Sequence, residues 1–163
     1  MNQFFSLTLV AILFNITVVA NNIAQAADSQ LDKALVKIKA ITDSDEALTQ
    51  LAAIIKSPQL TTKQHISAIN MAAMHHINLD NFVEAITLLE QAQLTSQEQQ
   101  LYQLEADTNK LIGVVYYYQG NNPKALIAYK MSLSFYQSID APIEEANLLN
   151  NIALVYSAMS RYP

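Results

Sequence analysis

The sequence predicts an all-α protein, a solenoid of stacked antiparallel helical hairpins. Three features point there. Only 2 of its 163 residues are glycine, too few for the turns of most sheet folds, which call for residues that tolerate positive φ. Apolar side chains recur at spacings of three and four from Asp28 onward, as in Leu31, Ala34, Leu35, Ile38 and Ile41, the period of one helical face. The sequence also matches itself at a shift of forty, where Ile112-Gly113-Val114-Val115-Tyr116 falls on Ile152-Ala153-Leu154-Val155-Tyr156.

Composition narrows function as well. With 0 Cys there is no disulfide scaffold, thiolate zinc site or cysteine nucleophile. Glycine poverty excludes a P-loop and a Gly-rich dinucleotide loop. A net charge of −5 argues against nucleic-acid binding, which wants a basic patch.

The first element is a leader. Residues 1–27 hold no charged side chain, and Phe4 to Ala20 is almost continuously apolar. It runs into Ala24-Gln25-Ala26, a small-x-small pattern that reads as a signal peptide, residues 1–26, cut after Ala26. An uncleaved anchor and a buried core helix are the alternatives. Asn15, Asn21 and Asn22 make a poor permanent span, because amides in lipid need partners. The expected location is therefore periplasmic or secreted.

Helix starts mark the rest, residues 27–163. Ser44-Asp45-Glu46 is expected to cap one helix, while Thr61 with Gln64 and Ser96 with Gln99 have capping-box spacing. Pro142 with Glu144 and Glu145 suits the positive end of a last helix. The units are expected near 29–58, 61–95, 97–138 and 141–163. Each first helix carries a small residue (Ala73, Gly113, Ala153) and, three residues on, a bulky one (His76, Tyr116, Tyr156). Turns follow at Asp80-Asn81 and Gly120-Asn121-Asn122, and the second helices open on Ala85 and Ala125 ahead of Leu89 and Tyr129. Small residues let two backbones approach while bulky neighbours fill the space beside them.

Leu111 to Leu133 resembles a tetratricopeptide repeat, with Gly113, Tyr116, Gly120, Ala125 and Tyr129 in that family's order and spacing. Ala73, His76 and Leu89 stand at the same places one unit earlier, and the resemblance extends over nearly all of 27–163. A period of forty, against the usual 34, is similar to the longer-helix branch seen in kinesin light chains and in bacterial sensor and regulator proteins. The resemblance implies a right-handed solenoid and a non-enzymatic binding role. The final unit lacks a second helix, so Ile152, Val155, Tyr156 and Met159 are expected to lack a partner, as in a truncated product of a longer repeat protein. The alternative function is the periplasmic sensory input region of a membrane signalling protein with a cyclase or kinase output.

No catalytic constellation stands out. His65, His75 and His76 are the only histidines; His65 and His76 stand about 16 Å apart along a helix. No metal or cofactor is expected: His76 replaces a packing tyrosine, and His75 is expected to be solvated. In the family the first helices line a concave groove that takes a peptide or partner helix. Carried onto this chain, the stripes are Ser67, Asn70, Met74 and Ile77; Asp107, Lys110, Val114 and Tyr117; and Asn147, Asn150, Leu154 and Ser157. Asn150 and Asn151 resemble the asparagines that hold peptide backbone in the long-repeat branch. Tyr117 is expected to face the groove, with helix packing as its alternative, and Tyr118 the next unit. Only Lys110 is basic in these stripes, so the family's clamp for a terminal carboxylate is not reproduced. The expected partner is a protein or peptide, with no nucleic acid, and with membrane contact only through an uncleaved leader or a missing C-terminal region.

Overall fold

The computed structural model describes residues 25–161. Among these residues the chain is all helix and loop. The helices are α1 (25–39), α2 (Ser44–Ile55), α3 (Thr62–Asn78), α4 (Phe82–Glu98), α5 (Tyr102–Tyr118), α6 (Asn122–Ser138) and α7 (Pro142–Arg161). Consecutive helices pack on one another, and α3 also touches α5, so the hairpins stack as a solenoid. No helix among the described residues is long and apolar enough to cross a membrane. Residues 1–24 of the leader lie outside them, and its last two residues begin α1.

The regularity is finer than the forty-residue repeat. From α3 on, helices begin at 62, 82, 102, 122 and 142, a spacing of 20 residues, and α3 to α6 are 17 residues each. Every link between them is the same turn. Asp80, Gln100, Gly120 and Asp140 take φ of 57°, 55°, 72° and 53°, the left-handed region. The next residue's N–H closes back on a carbonyl five positions earlier: Asn81 on His76, Leu101 on Ser96, Asn121 on Tyr116 and Ala141 on Tyr136. This is the Schellman closure, which satisfies carbonyls orphaned at a helix end. Glycine fits its left-handed position best, yet only Gly120 supplies it.

Local chemistry at the helix starts agrees with the sequence at α3 and at α7, which opens on Pro142 with Glu144 and Glu145 in its first turn, and differs at two others. Thr61 and Gln64 form the expected capping box, with Gln64 N–H donating to Thr61 Oγ1 (3.3 Å) and Thr61 N–H to Gln64 Oε1 (3.0 Å). Gln64 Nε2 also donates to Asp32 Oδ1 (2.9 Å), tying α1 to α3. The cap of α2 is Asp43, not Ser44; its Oδ1 accepts from Glu46 N–H at 3.0 Å. Ser96 caps nothing. It is buried inside α4 and donates to the Ala92 carbonyl at 2.6 Å, because α4 runs on to Glu98.

The core is a chain of overlapping clusters. Leu35, Ile38, Ala47 and Leu51 join α1 and α2 to Ala68 and Ala72 of α3. Ala73, Ile77, Ala85 and Leu89 join α3 and α4 to Ile112, Val115 and Ala128. Ala106, Ala125, Tyr129 and Tyr136 join α5 and α6 to Leu148, Ile152 and Val155 of α7. Size matching explains the small positions. A Cβ on Gly113 would stand 2.6 Å from Cδ1 and Cε1 of Tyr129, so the ring sits on bare backbone. One unit earlier the large residue is Leu89 rather than tyrosine, and Ala73 has room for its methyl.

Four side chains sit differently from the sequence-based expectation. Ile152 and Val155 are buried against α6, while Tyr156 and Met159 remain exposed on α7. His75 is buried rather than solvated, and its Nδ1 lies 3.2 Å from Ser44 Oγ. Burial and the neighbouring His76 hold the His75 pKa below its ordinary value. Tyr118 turns back to stack on Phe82 at the start of α4, centroids 5.9 Å apart, and does not cover the following unit.

Candidate binding groove

The first helices α3 and α5 lie side by side because each packs its second helix on the far face. Between them runs a trough of about 290 Å³ with Met74, Leu104 and Leu111 as apolar wall and Lys39, Ser67 and Lys110 as polar groups. It adjoins a second concavity of about 540 Å³ near Lys63, Tyr102 and Phe135. Ser67, Leu104 and Asp107 belong to both. The trough therefore runs from the end of α1, across the middle of α3 and α5, to the turn between α4 and α5.

Polar side chains along it are partly committed. Asn70 is 8% exposed and hydrogen-bonds Thr108 of α5: its Nδ2 donates to Oγ1 at 2.9 Å, while the one hydroxyl proton of Thr108 has the Leu104 carbonyl at 2.7 Å and Asn70 Oδ1 at 3.0 Å as acceptors. Its amide binds α3 to α5 and lines the floor of the trough. Asp107 accepts from the Tyr136 hydroxyl at 2.6 Å and from Lys110 Nζ at 3.3 Å. Burial raises the Tyr136 pKa above its ordinary value, with the Asp107 hydrogen bond and charge and the Glu144 charge adding to it. Tyr136 stays a neutral donor, and Asp107 is held in place across the α5–α6 hairpin.

The sequence-derived stripes divide accordingly. Ser67, Asn70, Met74, Asp107 and Lys110 meet in the trough. Ile77 is buried in the core, and Val114 and Tyr117 are half-buried against the cluster that joins α5, α6 and α7. Asn147, Asn150, Leu154 and Ser157 are exposed along α7, and Asn151 is half-buried. None of these α7 residues lines either concavity. Periodicity alone did not single out Lys39, Lys63, Leu104 and Phe135. Lys63 was within reach: it lies four residues before Ser67, one turn earlier on the same stripe. Lys39 had no such signal, since it reaches the trough only through the packing of α1 on its neighbours.

The charge of the trough differs from that of the chain. Lys39, Lys63 and Lys110 are 3 of its 9 basic residues, and they meet one acid, Asp107, in a protein of net charge −5. On the other side of α5 lies a wider concavity of about 710 Å³ beside Ile127, Met131 and Phe135. Asn109 on its wall accepts through Oδ1 from Gln93 Nε2 at 2.6 Å. Among the described residues no cluster of three or more His, Asp or Glu could hold a metal ion.

Stacked hairpins with a trough along their first helices define a helical repeat solenoid. Within that class, residues 64–138 match the family model described as Tetratricopeptide repeat. The matched segment runs from the first turn of α3 to the last residue of α6, two complete hairpins. Repeats of this kind generally mediate protein–protein interaction and are typically non-enzymatic. Comparison with the curated proteins finds no match.

Proposed function

We propose that the whole chain is a long-repeat tetratricopeptide protein, exported by its leader, that captures an extended peptide segment of a partner protein without catalysing a reaction. One observation carries the groove: α3 and α5 leave a continuous trough whose apolar wall of Met74, Leu104 and Leu111 lies beside polar Ser67 and Lys110. Apolar wall and scattered donors suit a strand-like peptide, whose backbone needs partners and whose alternate side chains need pockets. Lys39 and Lys63 favour acidic residues in that peptide. Export rests on the uncharged apolar stretch before Ala24-Gln25-Ala26.

A random peptide library selected on the purified chain tests the groove. The expected result is selected peptides rich in Asp and Glu, bound at least about tenfold more weakly by Lys39→Glu/Lys63→Glu and more weakly at high salt. Peptides without acidic residues, held equally by both proteins, refute the groove. Mass spectrometry of the protein from its native host tests export. An N-terminus at Ala27 is expected, and a retained Met1 overturns it.

A further inference from the structure

We infer that a second groove, on the other side of α5 from the trough, takes an amphipathic helix of a partner protein that is basic along one flank and acidic along the other. The groove runs between α4 and α6, with α5 beneath it. Its wider part, of about 710 Å³, lies beside Tyr102, and a narrower part, of about 190 Å³, lies beside Tyr116. Asn109, Ile127 and Met131 line both, so the two parts are continuous. Tyr102 to Tyr116 is 14 residues along α5, or about 21 Å, the length of four helical turns.

One wall is an apolar ridge. Ile127 and Met131 are 62% and 45% exposed, and with Phe135 they recur every four residues along α6. Such a ridge packs into the groove of another helix, whose own apolar residues recur at three and four. A helix satisfies its own backbone, so a wall of this kind suits it. An extended strand would need partners there for its N–H and C=O groups.

Charge selects which helix. Every charged residue of α4 is acidic (Glu84, Glu90 and Glu98), and every charged residue of α6 is basic (Lys124 and Lys130). Glu90 lines the groove from α4. Glu105 of α5 also lines it and accepts from Gln97 of α4 at 2.9 Å, which places it on the same side. Lys124 and Lys130 line the α6 side, Lys124 with its Nζ 5.0 Å over the Tyr116 ring. The one ion pair among the described residues is Lys110–Asp107, so these two acids and two bases are not paired across the groove. A helix with a basic flank toward α4 and an acidic flank toward α6 meets all four. Other parts of this chain fit less well. α3 and α5 already pack on α4, and α5 and α7 on α6, so the stacking places around the groove are filled. Residues 1–27 hold no charged side chain and complement neither rim.

Calorimetric titration of the full chain with synthetic helical peptides of about four turns tests this, with circular dichroism checking that each variant stays folded. The first peptide carries leucine at helical spacing, lysine along one flank and glutamate along the other. The second has the same composition with its charges mixed on both flanks. The expected result is that the first binds at least about fivefold more tightly, and that the difference shrinks at high salt. Lys124→Glu/Lys130→Glu, which makes both rims acidic, is expected to bind the two alike. Ile127→Ser/Met131→Ser should weaken the first peptide by at least about tenfold. Val83→Ser/Leu94→Ser, which removes exposed apolar residues of α4 outside the groove, should leave it unchanged. So should Lys39→Glu/Lys63→Glu, which separates this site from the trough. The proposal is overturned if wild type binds both peptides equally, or if Ile127→Ser/Met131→Ser binds the first as wild type does. It is overturned if a form of the first peptide broken by proline binds as tightly, or if either control pair loses binding. Self-association of the chain alone that Ile127→Ser/Met131→Ser abolishes would also overturn it, by giving the groove to a second copy.

Discussion

Adding one methyl group to Gly113 sets two effects against each other. Alanine raises helix stability over glycine by about 0.5–1 kcal/mol, because glycine loses more backbone entropy on folding. The new Cβ, however, lands 2.6 Å from Cδ1 and Cε1 of Tyr129 and 3.0 Å from its Cγ. Carbon contacts settle near 3.5–4.0 Å, so the ring must retreat by roughly 1 Å. Tyr129 is 2% exposed and packed between α5, α6 and α7, so it has little room to retreat. Overpacking of this kind costs about 1–3 kcal/mol. The net expectation for Gly113→Ala is a loss of about 0.5–2 kcal/mol. In a Tyr129→Leu background the pair becomes the Ala73–Leu89 pair already present one unit earlier, and the clash is gone. There Gly113→Ala is expected to stabilise by about 0.5–1 kcal/mol relative to Tyr129→Leu alone. Urea unfolding of the four proteins, followed by circular dichroism, measures the cycle. The reasoning fails if Gly113→Ala stabilises the wild type, or if it has the same effect in both backgrounds.

Gln100 and Gly120 occupy the same left-handed turn position, so opposite changes should have opposite signs. Gln100→Gly is expected to gain, and Gly120→Ala to lose, about 1 kcal/mol in the same assay; nothing lies within 4 Å of a Cβ at Gly120, so its loss is conformational. Ser132 Oγ is buried without a hydrogen-bond partner where Ala92 stands one unit earlier. Ser132→Ala should therefore stabilise by about 1 kcal/mol, and a loss of that size in its unfolding midpoint would reveal a partner for the hydroxyl. Tyr129 and Tyr136 have folded pKa values raised above the ordinary 10.0 by burial first. Their contribution is full below pH 10.0 and is lost as pH rises above it, because the unfolded chain then gives up protons that the folded chain keeps. Thermal melts between pH 9 and 11 should show this fall, and Tyr129→Phe should flatten it; an unchanged slope would remove Tyr129 as a cause. His75 has the reverse sense: its pKa is lowered, so stability falls as pH drops through 6.5, and His75→Gln should weaken that dependence in acid titrations.

Much of the architecture is legible along the chain because it depends on local chemistry. The recurrence of Ala73, Gly113 and Ala153 at forty residues marks the first helices, and Thr61 with Gln64 marks where α3 begins. The finer spacing of 20 stays hidden for a physical reason. Links within and between hairpins share one backbone geometry, but Asp80, Gln100, Gly120 and Asp140 meet it with three different residue types. Ser96 and Gln99 imitate a cap because local spacing does not show that α4 continues past Ser96.

Periodicity and side-chain size settle that the chain is helical, that its hairpins repeat, and where small residues must stand. These follow from contacts within a helix turn or between neighbours in sequence. Which polar groups remain for a partner is decided by contacts between distant positions. Asn70 meets Thr108 across 38 residues, and Tyr136 reaches Asp107 across 29. Both pairings commit hydrogen-bonding capacity that a helical stripe counts as available, and the approach of α1 adds Lys39 to the trough. A helix face shows what a residue is able to contact, and the packing of α3 against α5 selects what it does contact.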